Sequence, residues 1–329
     1  DAERAVRRLE ALGVDTAADR SLLSGLRARA GARTEAIEAI LQALEEDPSR
    51  SADWLHYAQL LEAEGEHELA LEANERCLTL DRQCGDAWAL KARLLAEKQN
   101  HERDALKAAT HAVALGAGGV DAVFLKAELL ELEGSMVAAE ETLLKALETQ
   151  PYNGELRARM AGRYLIQHRV EDASSLLSST PDGIDHALLH TVEGRLHLAH
   201  ADRLRDGTGA TDGALLEAAL TAFNGALKLD RELNLAWLGL ARTQRMLGQL
   251  ETAGESLSRA QRLGSVKDPS IACESALLAL DNGDVQAALL HVDAAEVHGQ
   301  NATTAYIRGN ISAVKLSLIH ISEPTRQLQ

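Results

Sequence analysis

A small residue returns every 34 or 35 positions along this 329-residue chain: Ala43, Cys77, Ala112, Ala146, Thr180, Ala226, Ala260 and Ala295, with a single longer step of 46 between Thr180 and Ala226. A period of that length holds one helix-turn-helix unit, which cannot bury its apolar face alone and must stack on its neighbours. Trp54 and Trp88 share the spacing, as do Gly31 and Gly65, and Ala36 and Ala70. Each period reads as a helix, a short Gly-centred turn, a second helix, and a loop often marked by Asp or Pro. Composition agrees. Apolar residues make up 46% of the chain but only nine residues are aromatic, so the core is built from Ala, Leu and Val. Closely packed helices suit that mix, since Ala or Gly at a helix contact lets two backbones approach while Leu and Trp fill the gaps beside it.

The pattern resembles the tetratricopeptide repeat, whose signature is W-x2-L-G-x2-Y, then A-x3-F, then P. From Asn234 onward, Trp237, Leu240 and Ala241 fill the first-helix positions, Gly248 the turn, and Ala253, Leu257 and Ala260 the second helix. From Ala17 onward, Leu23, Gly31, Ala36, Ile40, Ala43 and Pro48 fit, with Arg20 in place of the tryptophan. The resemblance covers nearly the whole chain and is most degenerate in the repeats beginning near Gly154 and Asp182. It implies an all-α fold, a right-handed α-solenoid of stacked helix-turn-helix repeats.

Counting by the period sets the expected organisation. Residues 1–16 read as the second helix of a truncated preceding repeat, and residues 17–302 as about eight repeats with an insertion near 200–213 around "DGTGATDG". Residues 303–315 read as the first helix of another truncated repeat, with Tyr306, Ile307, Ile311 and Val314 as its apolar stripe. The last stretch, residues 316–329, "LSLIHISEPTRQLQ", is similar to the conceptual translation of a transposase-type sequencing adapter followed by an index. It is expected to be read-through in an assembled environmental sequence and to carry no function.

Charge and motifs narrow the function classes. With 34 basic against 50 acidic residues the net charge is −16, which repels a phosphate backbone, so nucleic acid is not an expected partner. No run approaches the ~18 apolar residues of a membrane span, so no direct membrane insertion is expected of this fragment. Cys77, Cys84 and Cys273 lack CxxC spacing and read as small apolar thiols. His186, His190, His197 and His200 fall on one helix face as an i,i+4 pair and an i,i+3 pair, weak candidates for zinc or copper. HExxH is absent and the pairs are too far apart to share an ion, so a solvated or groove-lining face is the expectation. No phosphate loop or nucleophile elbow is present, and neither an enzyme nor a cofactor is expected.

In the tetratricopeptide family the concave groove is lined mainly by first helices. The resemblance carries that role to Leu55 and Gln59, Ala89 and Arg93, Phe124 and Glu128, Ala158 and Gly162, and Leu238 and Arg242. The Lys-Asn carboxylate clamp of chaperone-binding relatives is absent; Arg93 and Arg242 read as isolated. The function expected is a non-enzymatic scaffold that binds a protein or peptide in its groove. The alternatives are a structural spacer in a secretion, polysaccharide-export or signalling assembly, and the repeat region of a larger enzyme.

Overall fold

The computed structural model describes residues 2–14, 16–208, 212–264, 268–297 and 302–322, the stretch 315–322 by its backbone alone. Among the described residues every regular element is an α-helix. The chain divides into two compact units, Asp1–Gln150 and Pro151–Gln329. In the first unit α1 (Ala2–Leu12) precedes four hairpins: α2 (Ala17–Arg29) with α3 (Arg33–Glu46), α4 (Ser51–Ala63) with α5 (His67–Leu80), α6 (Gly85–Ala96) with α7 (Glu102–Ala114), and α8 (Gly119–Leu132) with α9 (Met136–Thr149). The second unit pairs α10 (Gly154–Ile166) with α11 (Val170–Ser178), α12 (Ala187–Thr208) with α13 (Gly213–Leu229), α14 (Asn234–Met246) with α15 (Leu250–Leu263), and α16 (Pro269–Asp281) with α17 (Val285–Glu296), and ends in α18 (Ala302–Ser322). Within each unit successive hairpins stack, with each first helix also touching the first helix of the next hairpin. Each unit is an α-solenoid of stacked helix-turn-helix repeats.

The period-marking residues explain the stacking. Ala43, Cys77, Ala112, Ala226, Ala260 and Ala295 are all 0% exposed, whereas Ala146 and Thr180 are half-buried. A larger side chain at the first six would drive the two helices of a hairpin apart. Three inter-hairpin loops are also built alike. Asp47, Asp81 and Asp230 each accept a backbone N–H two residues on, at 3.1, 2.9 and 2.9 Å, an Asx turn. The carbonyl one residue after each aspartate then accepts the indole Nε1–H of Trp54, Trp88 or Trp237, at 2.9, 2.9 and 2.8 Å. The tryptophan of the repeat is therefore a latch on the loop before it.

Inside the hairpins the turn is a left-handed helix stop. At Gly65, φ is +82°, and Glu66 N–H reaches back to the Leu61 carbonyl at 2.9 Å; Gly248 (φ +77°) does the same through Gln249 and Gln244. The α10–α11 hairpin makes the identical turn with His168 at φ +59°. That non-glycine residue is one reason the repeat near Gly154 reads as degenerate.

The inserted stretch lengthens helices. α12 runs for 22 residues and α13 for 17, against 12 to 14 in most others, and Asp212 caps α13 by accepting the Ala214 N–H at 2.9 Å. The centre of the expected loop, 209–211, lies outside the described residues.

In α18 the apolar contact is narrower than the sequence implies. Thr304, Ile307 and Ile311 are buried, but Tyr306 is 60% and Val314 37% exposed. Successive residues are about 100° apart on a helix, so Tyr306 cannot share the face that Ile307 and Ile311 present to α16 and α17. The helix continues to Ser322, and the remainder of the adapter-like tail, 323–329, lies outside the described residues.

Candidate functional site

First helices turn a small residue inward, and on α4, α6, α8 and α14 the next residue faces outward, whereas Gly162 on α10 is itself buried. Ala58, Ala92, Ala127, Ala161 and Ala241 are at most 1% exposed, and each is followed by a groove-register residue: Gln59, Arg93, Glu128, Gly162 and Arg242. Gln59, Arg93 and Glu128 are exposed on α4, α6 and α8, and Arg242 is exposed on α14. One turn earlier the picture differs. Leu55 and Leu238 are half-buried, whereas Ala89 (7%), Phe124 (5%) and Ala158 (1%) are spent on packing and leave little surface for a ligand.

The two groove arginines named from the sequence are both engaged. Arg93 forms a bidentate pair with Glu62 on the neighbouring first helix, Nε–Oε1 3.1 Å and Nη2–Oε2 2.7 Å, and Arg242 reaches Asp202 on α12 at 2.6 Å. Such inter-helix pairs fix the register of adjacent first helices.

A third arginine occupies this register and escapes a fixed-period count. On α12 the inward small residue is Gly194, where an added Cβ would stand 2.7 Å from the Phe223 ring of the partner helix α13. The outward residue is therefore Arg195. The inward Gly194 stands one position earlier than the 15-residue offset from Thr180 gives, an offset that reaches the inward residue from Ala43 to Ala58, Cys77 to Ala92 and Ala226 to Ala241. Arg195 Nη1 lies 3.6 Å from where a Cβ on Gly162 would be. Burial, and after it the nearby Arg242 charge, push its guanidinium below the ordinary arginine value.

The four histidines sit on or beside α12 but serve separate purposes. His186 Nδ1 accepts the Leu188 N–H at 3.2 Å at the helix start. His190 lies between Asp185 (Nε2–Oδ1 2.8 Å) and Glu193 (Nδ1–Oε2 3.2 Å). Burial holds His197 below the usual imidazole range, opposed by Glu193 and reinforced by His200. Among the described residues no group of three or more His, Cys, Asp or Glu is placed to hold a metal ion. Burial pushes the Cys77 thiol up to about 12, with Cys84 beside it, so it stays protonated near neutral pH. No described helix is long and apolar enough to cross a membrane.

An open cleft of about 580 Å³ lies on the second-helix side of the first unit, between α5, α6 and α7. Trp88 and His111 form its aromatic wall, ring centroids 4.7 Å apart, and Lys91 spans from the Trp88 ring to Glu75 at 2.5 Å. Sequence spacing offered no signal for it, because Trp88 and His111 belong to different helices.

A stack of helical hairpins with a chemically varied first-helix face defines a helical-repeat solenoid. Residues 54–84, 94–154 and 213–267 match family models of the tetratricopeptide repeat, so the chain carries that repeat in both units. No curated protein matches the chain. Among solved structures it is similar to the human IFIT1 dimer with m7Gppp-AAAA, with TM-score 0.55, 17% identity, and coverage of 98% of this chain and 86% of that one. Yeast Tom70 aligns with TM-score 0.58 and 15% identity over 95% of this chain and 67% of its own. The Cut9 and Hcn1 hetero-tetramer of APC/C gives TM-score 0.52 and 15% identity over 89% and 48%. At these identities the likeness is one of fold.

Proposed function

We propose that this chain is a non-enzymatic scaffold that binds a protein or peptide along its first-helix face, with residues 17–302 supplying about eight repeats. The observation that supports this reading most is the register just described. The first helices α4, α6, α8, α12 and α14 separate packing from display: the buried small residue holds the stack, and the next residue is free to differ. Gln59, Arg93, Glu128, Arg195 and Arg242 share a structural position yet set an amide, a carboxylate and three guanidinium groups there. Recognition surfaces need that freedom. IFIT1 was solved with m7Gppp-AAAA, but the −16 charge of this chain favours a peptide over a polyphosphate.

Selection from a random 12-residue peptide display library on the immobilised chain tests the reading. Retained peptides should lose about tenfold or more in affinity for at least one of Gln59→Lys, Glu128→Lys and Arg242→Ala. The second-helix control Glu251→Lys should leave them unchanged. Peptides indifferent to all three face variants, or sensitive to the control, would overturn it.

A further inference from the structure

Arg195 differs from the other two groove arginines in having no counter-ion. Among the described residues no hydrogen bond or ion pair engages it, although it is half-buried. The carboxylates nearest in sequence pair elsewhere: Asp202 with Arg242 (2.6 Å) and Arg205 (3.3 Å), and Glu193 with His190 (3.2 Å). A guanidinium carries five N–H donors, and holding it partly out of water beside a second cation costs desolvation with nothing returned. The chain has a 50-to-34 excess of acidic residues, so the half-buried Arg195 is not without a partner for want of carboxylates. The neighbouring first helix has the buried Gly162 at the same register, and the Arg195 Nη1 lies 3.6 Å from where its Cβ would be, so this position of α10 puts no side chain on the guanidinium.

We propose that Arg195 is an anion-recognition residue that takes the carboxylate of an aspartate or glutamate side chain in a peptide bound along the first-helix face of the second unit. This rests on the peptide-binding reading above and adds its partner's chemistry. A planar carboxylate matches the guanidinium fork with two parallel hydrogen bonds. A nucleic-acid backbone would bring many charges against a chain of net charge −16, whereas one carboxylate brings a single charge to the Arg195 guanidinium. Leu238, one turn before Arg242 on α14 and half-buried, offers an aliphatic contact nearby. The peptide that fits is an acidic residue with an apolar neighbour.

The test uses the intact chain and the same 12-residue library, selected in parallel on wild type and on Arg195→Gln. Wild type should enrich peptides with Asp or Glu at a fixed position. Fluorescence anisotropy with one such synthetic peptide should show a loss of about tenfold or more when its acid is changed to the amide, a similar loss with Arg195→Gln, and no further loss when both are changed. Arg195→Lys should recover part of the affinity. The change on the peptide leaves the protein untouched, so the measurement holds even if an Arg195 variant folds poorly. Peptides that bind both proteins equally and carry no acidic preference overturn the Arg195 assignment and leave the scaffold reading standing. Retention of no peptide overturns the scaffold reading and the assignment together. Tighter binding of a 20-nucleotide single-stranded RNA, lost in Arg195→Gln, also overturns the carboxylate assignment.

Discussion

The Phe223 ring occupies the space of a Gly239 side chain: a Cβ at Gly239 would lie 2.3 Å from ring atoms Cε1 and Cζ. The ring also closes on Gly194, where an added Cβ would be 2.7 Å away, and Phe223 is 0% exposed. One aromatic side chain therefore sets the spacing of α12, α13 and α14. Gly239→Ala should destabilise the second unit by about 1–3 kcal/mol, because neither a fully enclosed ring nor a packed helix can yield cheaply. Phe223→Leu frees room for that methyl group, so the double variant should be more stable than the sum of the two single losses. Chemical denaturation of the four proteins in a double-mutant cycle measures this; simple additivity would show that the ring and the glycine are not coupled.

His168 holds a left-handed turn that glycine holds in the other short turns, with φ +59° against +82° at Gly31, Gly65 and Gly134. Its backbone bonds are normal for the motif, with Arg169 N–H to the Tyr164 carbonyl at 2.8 Å. The cost is steric, the Cβ crowding its own carbonyl, and is about 1–2 kcal/mol for an L-residue. Glycine would remove it at some loss of chain entropy. His168→Gly should therefore raise stability by about 0.5–1 kcal/mol, read as a higher denaturant midpoint at unchanged slope.

Periodicity made the fold legible because hairpin packing needs a small residue at one fixed depth, and Ala43, Cys77, Ala112, Ala226, Ala260 and Ala295 meet that need. The exposure of Gln59, Arg93, Glu128 and Arg242 was legible for the same reason, since each follows a buried small residue by one. The count failed where the loop before a first helix changed length by one residue: Thr180 with its usual offset points to Arg195, and the inward residue is Gly194. Burial one turn earlier was less legible still. Phe124 and Leu238 read alike in sequence, yet one is 5% exposed and the other half-buried, because neighbouring hairpins cover them to different depths. Partners of Arg93 and Arg242 were invisible, since Glu62 and Asp202 stand 31 and 40 residues away on other helices.

Acidification should weaken the fold through two histidines. His56 is half-buried against Ser24, Nε2 to Oγ 3.0 Å, while the Ser24 hydroxyl donates its proton to the Ala36 carbonyl at 2.7 Å. The imidazole must then donate from Nε2, leaving Nδ1 to take a proton. Burial lowers the His56 value, with Asp53 opposing, and burial lowers that of His197. Both folded values lie below the unfolded one, so the unfolded chain binds protons first: stability is full above the ordinary value of 6.5 and falls as pH drops through it toward the folded values. The melting temperature should decline between about pH 7.5 and about pH 5.5, and His56→Gln should flatten that decline. An unchanged slope in the variant would remove His56 from the account.

The C-terminal helix docks through its first turns. Ile307 and Ile311, 0% and 2% exposed, enter the cluster of Cys273, Ala276 and Val292, and Arg308 binds Asp293 at 2.6 Å and Glu296 at 2.7 Å. Each buried isoleucine contributes about 1.5–3 kcal/mol of transfer free energy, so deletion from Thr303 onward should strip the end of the second unit and lower its stability by several times the thermal energy. The segment 316–329 ends in "EPTRQLQ", where Pro324 opposes continued helix, and its likeness to a translated adapter gives no reason for it to be shaped to this surface. Deleting 316–329 alone should leave the melting temperature within about one or two degrees, the shift for well under about 1 kcal/mol in a domain of this size. Paired thermal melts of the two truncations decide the matter: a large drop on removing only the tail would mean that it packs as part of the solenoid.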